Sequence, residues 1–105
     1  MIDIELEMMT FIADNAVTRA HLTWLESKRH PQFGREYGAR GALVNTREAQ
    51  SCVHTYVSLG DKAKARHALS DAWNDFKGGI WCRAQWQEES RWMSETIGLY
   101  YEMLK

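Results

Sequence analysis

Apolar side chains recur with helical spacing along most of the chain, and this pattern predicts an all-α fold. The first helix is predicted from Asp3 to about Lys28, with acids in its first turn and bases at its end, as the helix dipole favours. Its apolar residues share one helical face: Leu6, Met9, Ala13, Ala16, Val17, Ala20 and Trp24. Residues 2–7 also alternate with a period of two, so a short strand is a second interpretation there.

Two further helices are predicted in the middle of the chain, on either side of Gly60-Asp61. Asn45, followed by Glu48 three residues later, resembles an N-cap with its capping box, and it predicts that the second helix begins there. The apolar residues of these two helices also follow the helical repeat: Ala49, Cys52, Val53, Tyr56 and Val57, then Ala65, Ala68, Leu69, Ala72, Trp73 and Phe76. The tight Gly60-Asp61 break predicts an antiparallel helical hairpin.

Residues 30–44 are predicted as an irregular connection, because Pro31 and three glycines oppose a helix. A short helix from about Gly34 to Val44 remains an alternative. The last helix is predicted from about Ile80 to the C-terminus. We therefore expect one domain over residues 1–105, a small all-α bundle of about four helices around the central antiparallel hairpin.

The hairpin has a spacing of residues that is found in a known repeat. Its turn glycine, one tyrosine, two alanines and a leucine resemble one unit of the tetratricopeptide repeat between Ala49 and Phe76: Tyr56, Gly60, Ala65, Leu69 and Ala72. Val53 stands where that repeat has a glycine, and Lys77 where it has a proline. Since a solenoid needs about three units, the resemblance implies close packing of the two helices and not membership of the family.

Composition excludes several classes of protein. The 105 residues carry 13 basic and 14 acidic side chains and are 45% apolar, which is typical of a globular domain and not of a disordered chain. No apolar run is long enough for a membrane span, and the N-terminus lacks the features of a secretory signal. Two cysteines, Cys52 and Cys82, are too few for a disulfide scaffold. We expect them to be buried thiols of a cytoplasmic protein.

Tryptophan is unusually frequent, with five residues. We expect Trp24, Trp73 and Trp86 to lie in the core. Trp81 and Trp92 point about 20° apart on the last helix, and Trp86 points about 140° from Trp81, so the three cannot share one face. We therefore expect a second face of the last helix to be a candidate partner surface, formed by Trp81, Trp92, Leu99 and Met103.

A second candidate surface lies between residues 29 and 40, where arginines alternate with aromatic rings and glycines: Arg29, Phe33, Arg35, Tyr37 and Arg40. Guanidinium groups bind carboxylates or phosphates, and exposed rings supply apolar contacts. Alternatively, Phe33 and Tyr37 pack into the core. For a nucleic-acid partner, the same arginines would act with three bases of the third helix: Lys62, Lys64 and Arg66. The net charge of −1 argues against that alternative.

No motif for catalysis or for a metal site occurs in the sequence. Cys52 and His54 diverge by about 200° on a helix, so they cannot bind one zinc ion together. The remaining histidines are expected at the surface, and no cofactor or metal is expected. The leading hypothesis is a non-enzymatic interaction protein, an inhibitor, adaptor or assembly factor that occludes a protein partner, a role common among small phage proteins. A second copy of the chain is an alternative partner, and nucleic acid is the second choice.

Overall fold

The computed structural model describes residues 3–80 and 83–103, apart from the side chains of Tyr101 and Met103. Over these residues the chain forms four α-helices and a short 3-10 turn: α1 (Ile4–Arg29), the turn (Pro31–Phe33), α2 (Glu36–Ser58), α3 (Lys62–Lys77) and α4 (Arg83–Met103). The predicted all-α bundle is confirmed. The alternative strand at residues 2–7 is wrong from Ile4 onward, because α1 begins there. None of these described helices combines the length and the apolar character of a membrane span.

Two helix starts and the central turn follow the local chemistry of the sequence. The Asp3 carboxylate caps α1 by accepting a hydrogen bond from the Leu6 amide at 3.3 Å. Asp61 caps α3 in the same way, accepting from the Lys64 amide at 3.1 Å. Between α2 and α3, Gly60 takes a φ of 71°, a left-handed conformation that side chains disfavour. The predicted antiparallel hairpin and its turn at Gly60-Asp61 are therefore confirmed.

The predicted start of the second helix at Asn45 is wrong. α2 begins at Glu36, and Asn45 is an exposed residue in its interior. Gly38 and Gly41 each cost about 1 kcal/mol in a helix. Burial of one leucine side chain alone stabilises by about 1.5–3 kcal/mol, and three side chains of this stretch are buried: Ala39, Ala42 and Leu43. Packing thus outweighs the weak propensity, and the irregular connection shrinks to residues 30–35.

Helices α1, α2 and α3 pack closely because small side chains line their contacts. Nine buried alanines belong to these three helices: Ala13, Ala16, Ala20, Ala39, Ala42, Ala49, Ala65, Ala68 and Ala72. The approach is closest where α3 ends, since a Cβ atom on Gly79 would lie 2.9 Å from the Ala42 Cβ atom. α2 runs antiparallel to α1, and α3 runs parallel to α1.

Helix α4 packs through larger side chains and runs antiparallel to α1. Met93 and Tyr100 are its buried apolar residues. Two polar contacts fix its direction: Arg19 Nη1 lies 2.6 Å from Glu89 Oε2, and the Gln85 amide donates to the Thr23 hydroxyl at 2.9 Å. The bundle is elongated, with principal extents of 50 × 24 × 16 Å. Long helix faces therefore remain at the surface.

Candidate functional site

The connection between α1 and α2 forms an exposed corner, which we call the aromatic–arginine corner and define as Arg29, Phe33, Arg35, Tyr37 and Arg40. A compact turn holds it. The Phe33 amide donates to the His30 carbonyl and the Gly34 amide donates to the Pro31 carbonyl, both at 3.1 Å. Gly34 has a φ of 62°, which closes the turn in a conformation suited to glycine. The corner is thus held by the backbone and does not depend on its side chains.

Both aromatic rings of the aromatic–arginine corner lie at the surface. Phe33 is 52% exposed and Tyr37 is 89% exposed, so the alternative in which they pack into the core is wrong. The physical reason lies in α2: Tyr37 points about 160° away from the buried Ala39, because successive residues turn by 100°. A shallow depression of about 320 Å³ lies beside the Tyr37 ring and reaches Pro31.

The electrostatics of this corner favour a negatively charged partner. Arg29 makes only a 3.5 Å contact with Glu26, and its side chain is 79% exposed. Arg35 and Arg40 are exposed, and no ion pair joins either of them to another described residue. Guanidinium groups in this state can donate paired hydrogen bonds to carboxylates without first breaking internal bonds.

The tryptophan predictions for the last helix are partly wrong. Trp92, expected at a partner surface, is half-buried, with its ring 6.4 Å from that of Phe76 and the Arg19 guanidinium 4.2 Å above it. Trp86, expected in the core, is 47% exposed. Leu99 is exposed as predicted. Trp81 and the side chain of Met103 lie outside the described residues.

Two buried polar residues, Glu89 and Thr96, extend the inward face of α4 toward Trp92. Arg19 neutralises Glu89, and the Thr96 hydroxyl donates to the Trp92 carbonyl at 2.8 Å. Apolar periodicity leaves such polar residues outside the core, so it does not extend the buried face as far as Trp92. The exposure of Trp86 does not follow from the helix face, because Trp86 points only about 20° away from the buried Met93.

The six bases of the nucleic-acid alternative do not form one surface. Arg29 lies at the end of α1, whereas Lys62 and Arg66 contact Glu5 near its beginning. That separation is roughly 36 Å at 1.5 Å per residue. Lys62 Nζ also lies 3.0 Å from Asp3 Oδ2. The contacts with Asp3 and Glu5 raise the pKa of Lys62. The positive charges of Lys62 and Arg66 are thus already paired with carboxylates and are not available to a phosphate backbone.

Glu5 is a buried acid that joins α1 to α3 and α4, and we call it the Glu5 anchor. The apolar periodicity of the sequence does not reveal it. Its carboxylate is buried and accepts from the Tyr100 hydroxyl at 2.9 Å, from the Arg66 guanidinium and from the Lys62 ammonium group. Burial opposes ionisation, but hydrogen bonds from Arg66, Tyr100 and Lys62 outweigh it and lower the pKa of Glu5. Burial, followed by the hydrogen bond to Glu5, raises the pKa of Tyr100. The sequence carries one sign that Glu5 is buried: it lies four residues before the core residue Met9 and therefore on the same face of α1.

Cys52 is exposed, so its expected burial is wrong. The buried face of α2 follows Thr46, Ala49 and Val53, and Cys52 points about 100° away from Val53. Cys82 lies outside the described residues. Within residues 3–80 and 83–103, no group of three or more His, Cys, Asp or Glu side chains is placed to bind a metal ion.

An apolar cavity of about 270 Å³ lies between α1, α3 and α4. Five apolar side chains and Tyr100 form most of its wall, and Arg66 and Ser70 complete it: Ile12, Leu69, Trp73, Met93 and Ile97. The cavity adjoins the Glu5 anchor, whose charges are already paired, so its geometry offers no reactive group.

Comparisons with models of protein families, with curated proteins and with solved structures find no match to this chain.

Proposed function

We propose that this protein is a non-enzymatic binding module that recognises an acidic, partly apolar segment of a partner protein. The aromatic–arginine corner supplies the contact. The observation that carries the proposal is the exposure of Phe33 and Tyr37 beside Arg35 and Arg40, which no ion pair joins to another described residue. Occlusion of the partner by this bundle would make the protein an inhibitor or an adaptor.

The corner has the two components of a protein interface. Aromatic rings act as anchors that contribute about 2 kcal/mol or more each, and arginines form a rim that selects acidic partners. The turn and the start of α2 fix the backbone that carries the rings before binding, which reduces the entropy that binding costs. Nucleic acid would need a continuous basic surface, but Lys62 and Arg66 lie at the far end of α1 and are paired with Glu5, so a protein partner is favoured over nucleic acid.

A selection from displayed random peptides tests the proposal. We expect enrichment of sequences that combine Asp or Glu with Leu, Phe or Trp. Tyr37→Ala should weaken binding of a selected peptide by about thirtyfold, since about 2 kcal/mol is lost. Arg40→Gln should weaken peptide binding less than Tyr37→Ala does. Its effect should be larger at low salt than at high salt, because salt screens the attraction between charges.

Two exposed residues away from the corner serve as controls. Trp86→Ala removes an exposed ring from α4, and Arg47→Gln removes an exposed charge from α2. Neither should change the affinity. Enrichment of peptides without acids, or equal losses in Trp86→Ala and Tyr37→Ala, would contradict the proposal. Tight binding of a single-stranded oligonucleotide with a steep salt dependence would support the nucleic-acid alternative instead.

A further inference from the structure

An apolar stripe runs along the outer face of α1 and takes no part in the core of the bundle. Four of its side chains are 41–59% exposed: Ile4, Phe11, Leu22 and Leu25. At 100° per residue they fall in one sector, roughly 135° from the buried face of the same helix. We infer that this stripe is the seam of an antiparallel dimer of two copies of this chain, which is separate from the aromatic–arginine corner except at Arg29.

The spacing of the stripe is that of a coiled-coil seam, in which positions a and d of a seven-residue repeat face the partner helix. Met8, Asn15, Leu22 and Arg29 occupy the a positions, and Ile4, Phe11, Thr18 and Leu25 occupy the d positions. We call these eight residues the α1 seam. Three apolar residues lie before its polar centre, Asn15 and Thr18, and two lie after it. A polar residue at an a position fixes the register of paired helices.

Antiparallel pairing of two seams matches apolar with apolar and polar with polar side chains except at the two ends, where Ile4 faces the partner's Arg29. In an antiparallel coiled coil each a position faces a d position of the other helix. The register centred between Asn15 and Thr18 places Leu22 opposite the partner's Phe11 and Met8 opposite the partner's Leu25. It also places Asn15 opposite the partner's Thr18, so that the two polar side chains can form a hydrogen bond. The same contacts occur twice, as a two-fold axis requires.

The charges beside the α1 seam select the antiparallel arrangement. One flank carries an acid near its beginning, Glu7, and a base near its end, Lys28, while Asp14 between them already contacts Gln50 and His54 of α2. Antiparallel helices bring this flank opposite itself in reverse order, so Glu7 faces the partner's Lys28. The opposite flank packs within the protomer, because Ile12 is buried there and Arg19 forms an ion pair with Glu89. A parallel pair needs that second flank at its interface, and the fold does not offer it.

The surface beside the seam has room for the second helix. An open groove of about 760 Å³ runs between the C-terminal half of α1 and the start of α4, and Leu22 and Leu25 lie in its wall. The partner's Phe11 would enter this groove opposite Leu22. The seam is one helix wide and smaller than a standard interface. We therefore expect micromolar association and not an obligate dimer.

Sedimentation velocity tests the association. The wild-type mass should rise from monomer to dimer with concentration. Leu22→Glu should remain monomeric, whereas Leu99→Glu, the same change at an exposed leucine of α4, should behave as wild type. Circular dichroism should show unchanged helix content in both variants. A monomeric wild type up to millimolar concentration overturns the proposal, as does loss of the dimer in Leu99→Glu alone.

Disulfide cross-linking tests the direction, in a chain whose Cys52 and Cys82 are replaced by serine. A mixture of Phe11→Cys and Leu22→Cys chains should give only the mixed cross-link. Two copies of position 11 would lie roughly 16 Å apart along the axis, beyond the reach of a disulfide. Cross-linking of each single variant to itself would show a parallel pair and refute the proposal. Charge reversal by Glu7→Lys should weaken the dimer, and adding Lys28→Glu should restore it.

Discussion

The Glu5 anchor leads to a quantitative prediction about how α4 is held. Replacement of Glu5 by alanine removes an acceptor of the Tyr100 hydroxyl, at 2.9 Å in a buried setting. It also removes the carboxylate that joins α1 to Lys62 and Arg66 of α3. The variant should therefore loosen α4 and α3 from the beginning of α1.

The magnitude follows from burial. A buried hydroxyl that loses its partner costs about 1–3 kcal/mol. The two cationic partners are 41% and 58% exposed, so water replaces most of what they lose. We expect Glu5→Ala to lower the free energy of unfolding by about 2 kcal/mol, or about 10 °C in Tm for a chain of this size. Tyr100→Phe, which leaves the ion pairs in place, should cost about 1 kcal/mol.

Urea denaturation followed by circular dichroism and by tryptophan fluorescence measures both values. Glu7→Ala is the matched control, because Glu7 is an exposed glutamate of the same helix. It should change the free energy of unfolding by less than about 0.5 kcal/mol. Equal effects of Glu5→Ala and Glu7→Ala would refute the anchor. So would additive effects of Glu5→Ala and Tyr100→Phe in the double variant, because contacting residues should show a coupling energy.

Two further predictions follow from the same structure. Trp92→Ala should lower the free energy of unfolding by about 2–3 kcal/mol, because a half-buried ring is lost, whereas Trp86→Ala should change it by less than about 0.5 kcal/mol; equal costs would contradict the difference in burial between the two rings. The pKa of Glu5 is lowered in the folded protein, so its carboxylate stabilises the fold at pH values above its ordinary pKa, and this contribution is lost as pH falls through the lowered pKa. The pKa of Tyr100 is raised, so its hydroxyl stabilises the fold at pH values below its ordinary pKa, and this contribution is lost as pH rises through the raised pKa. Urea titrations across pH should show a plateau with a fall on both sides, and Glu5→Ala should flatten the acidic fall.

The helices at which local and tertiary signals agree could be predicted from the sequence. α1 and the hairpin have apolar faces, capping aspartates and a turn glycine that all indicate the same boundaries. The start of α2 could not be predicted in this way. Its glycines and Pro31 indicate a loop, and only packing of Leu43 and its neighbouring alanines against the rest of the bundle reverses that preference.

The candidate site could likewise be predicted only in part from the sequence. The composition of residues 29–40 indicates a binding surface, but exposure of Tyr37 depends on the rotation of α2 and follows only from the fold. The half-buried position of Trp92 could not be predicted, because the inward face of α4 reaches it through Glu89, which is buried by virtue of a partner, Arg19, that lies seventy residues away. Long-range charge pairing of this kind leaves no periodic signal in the sequence.

Nuclear magnetic resonance of the isotope-labelled chain, titrated with a peptide of alternating glutamate and leucine, shows whether the aromatic–arginine corner binds an acidic segment of another protein. We predict saturable chemical-shift changes concentrated between Arg29 and Arg40, which disappear in Tyr37→Ala. Shifts confined to other faces of the bundle, or no saturable shift at all, would contradict the proposed binding.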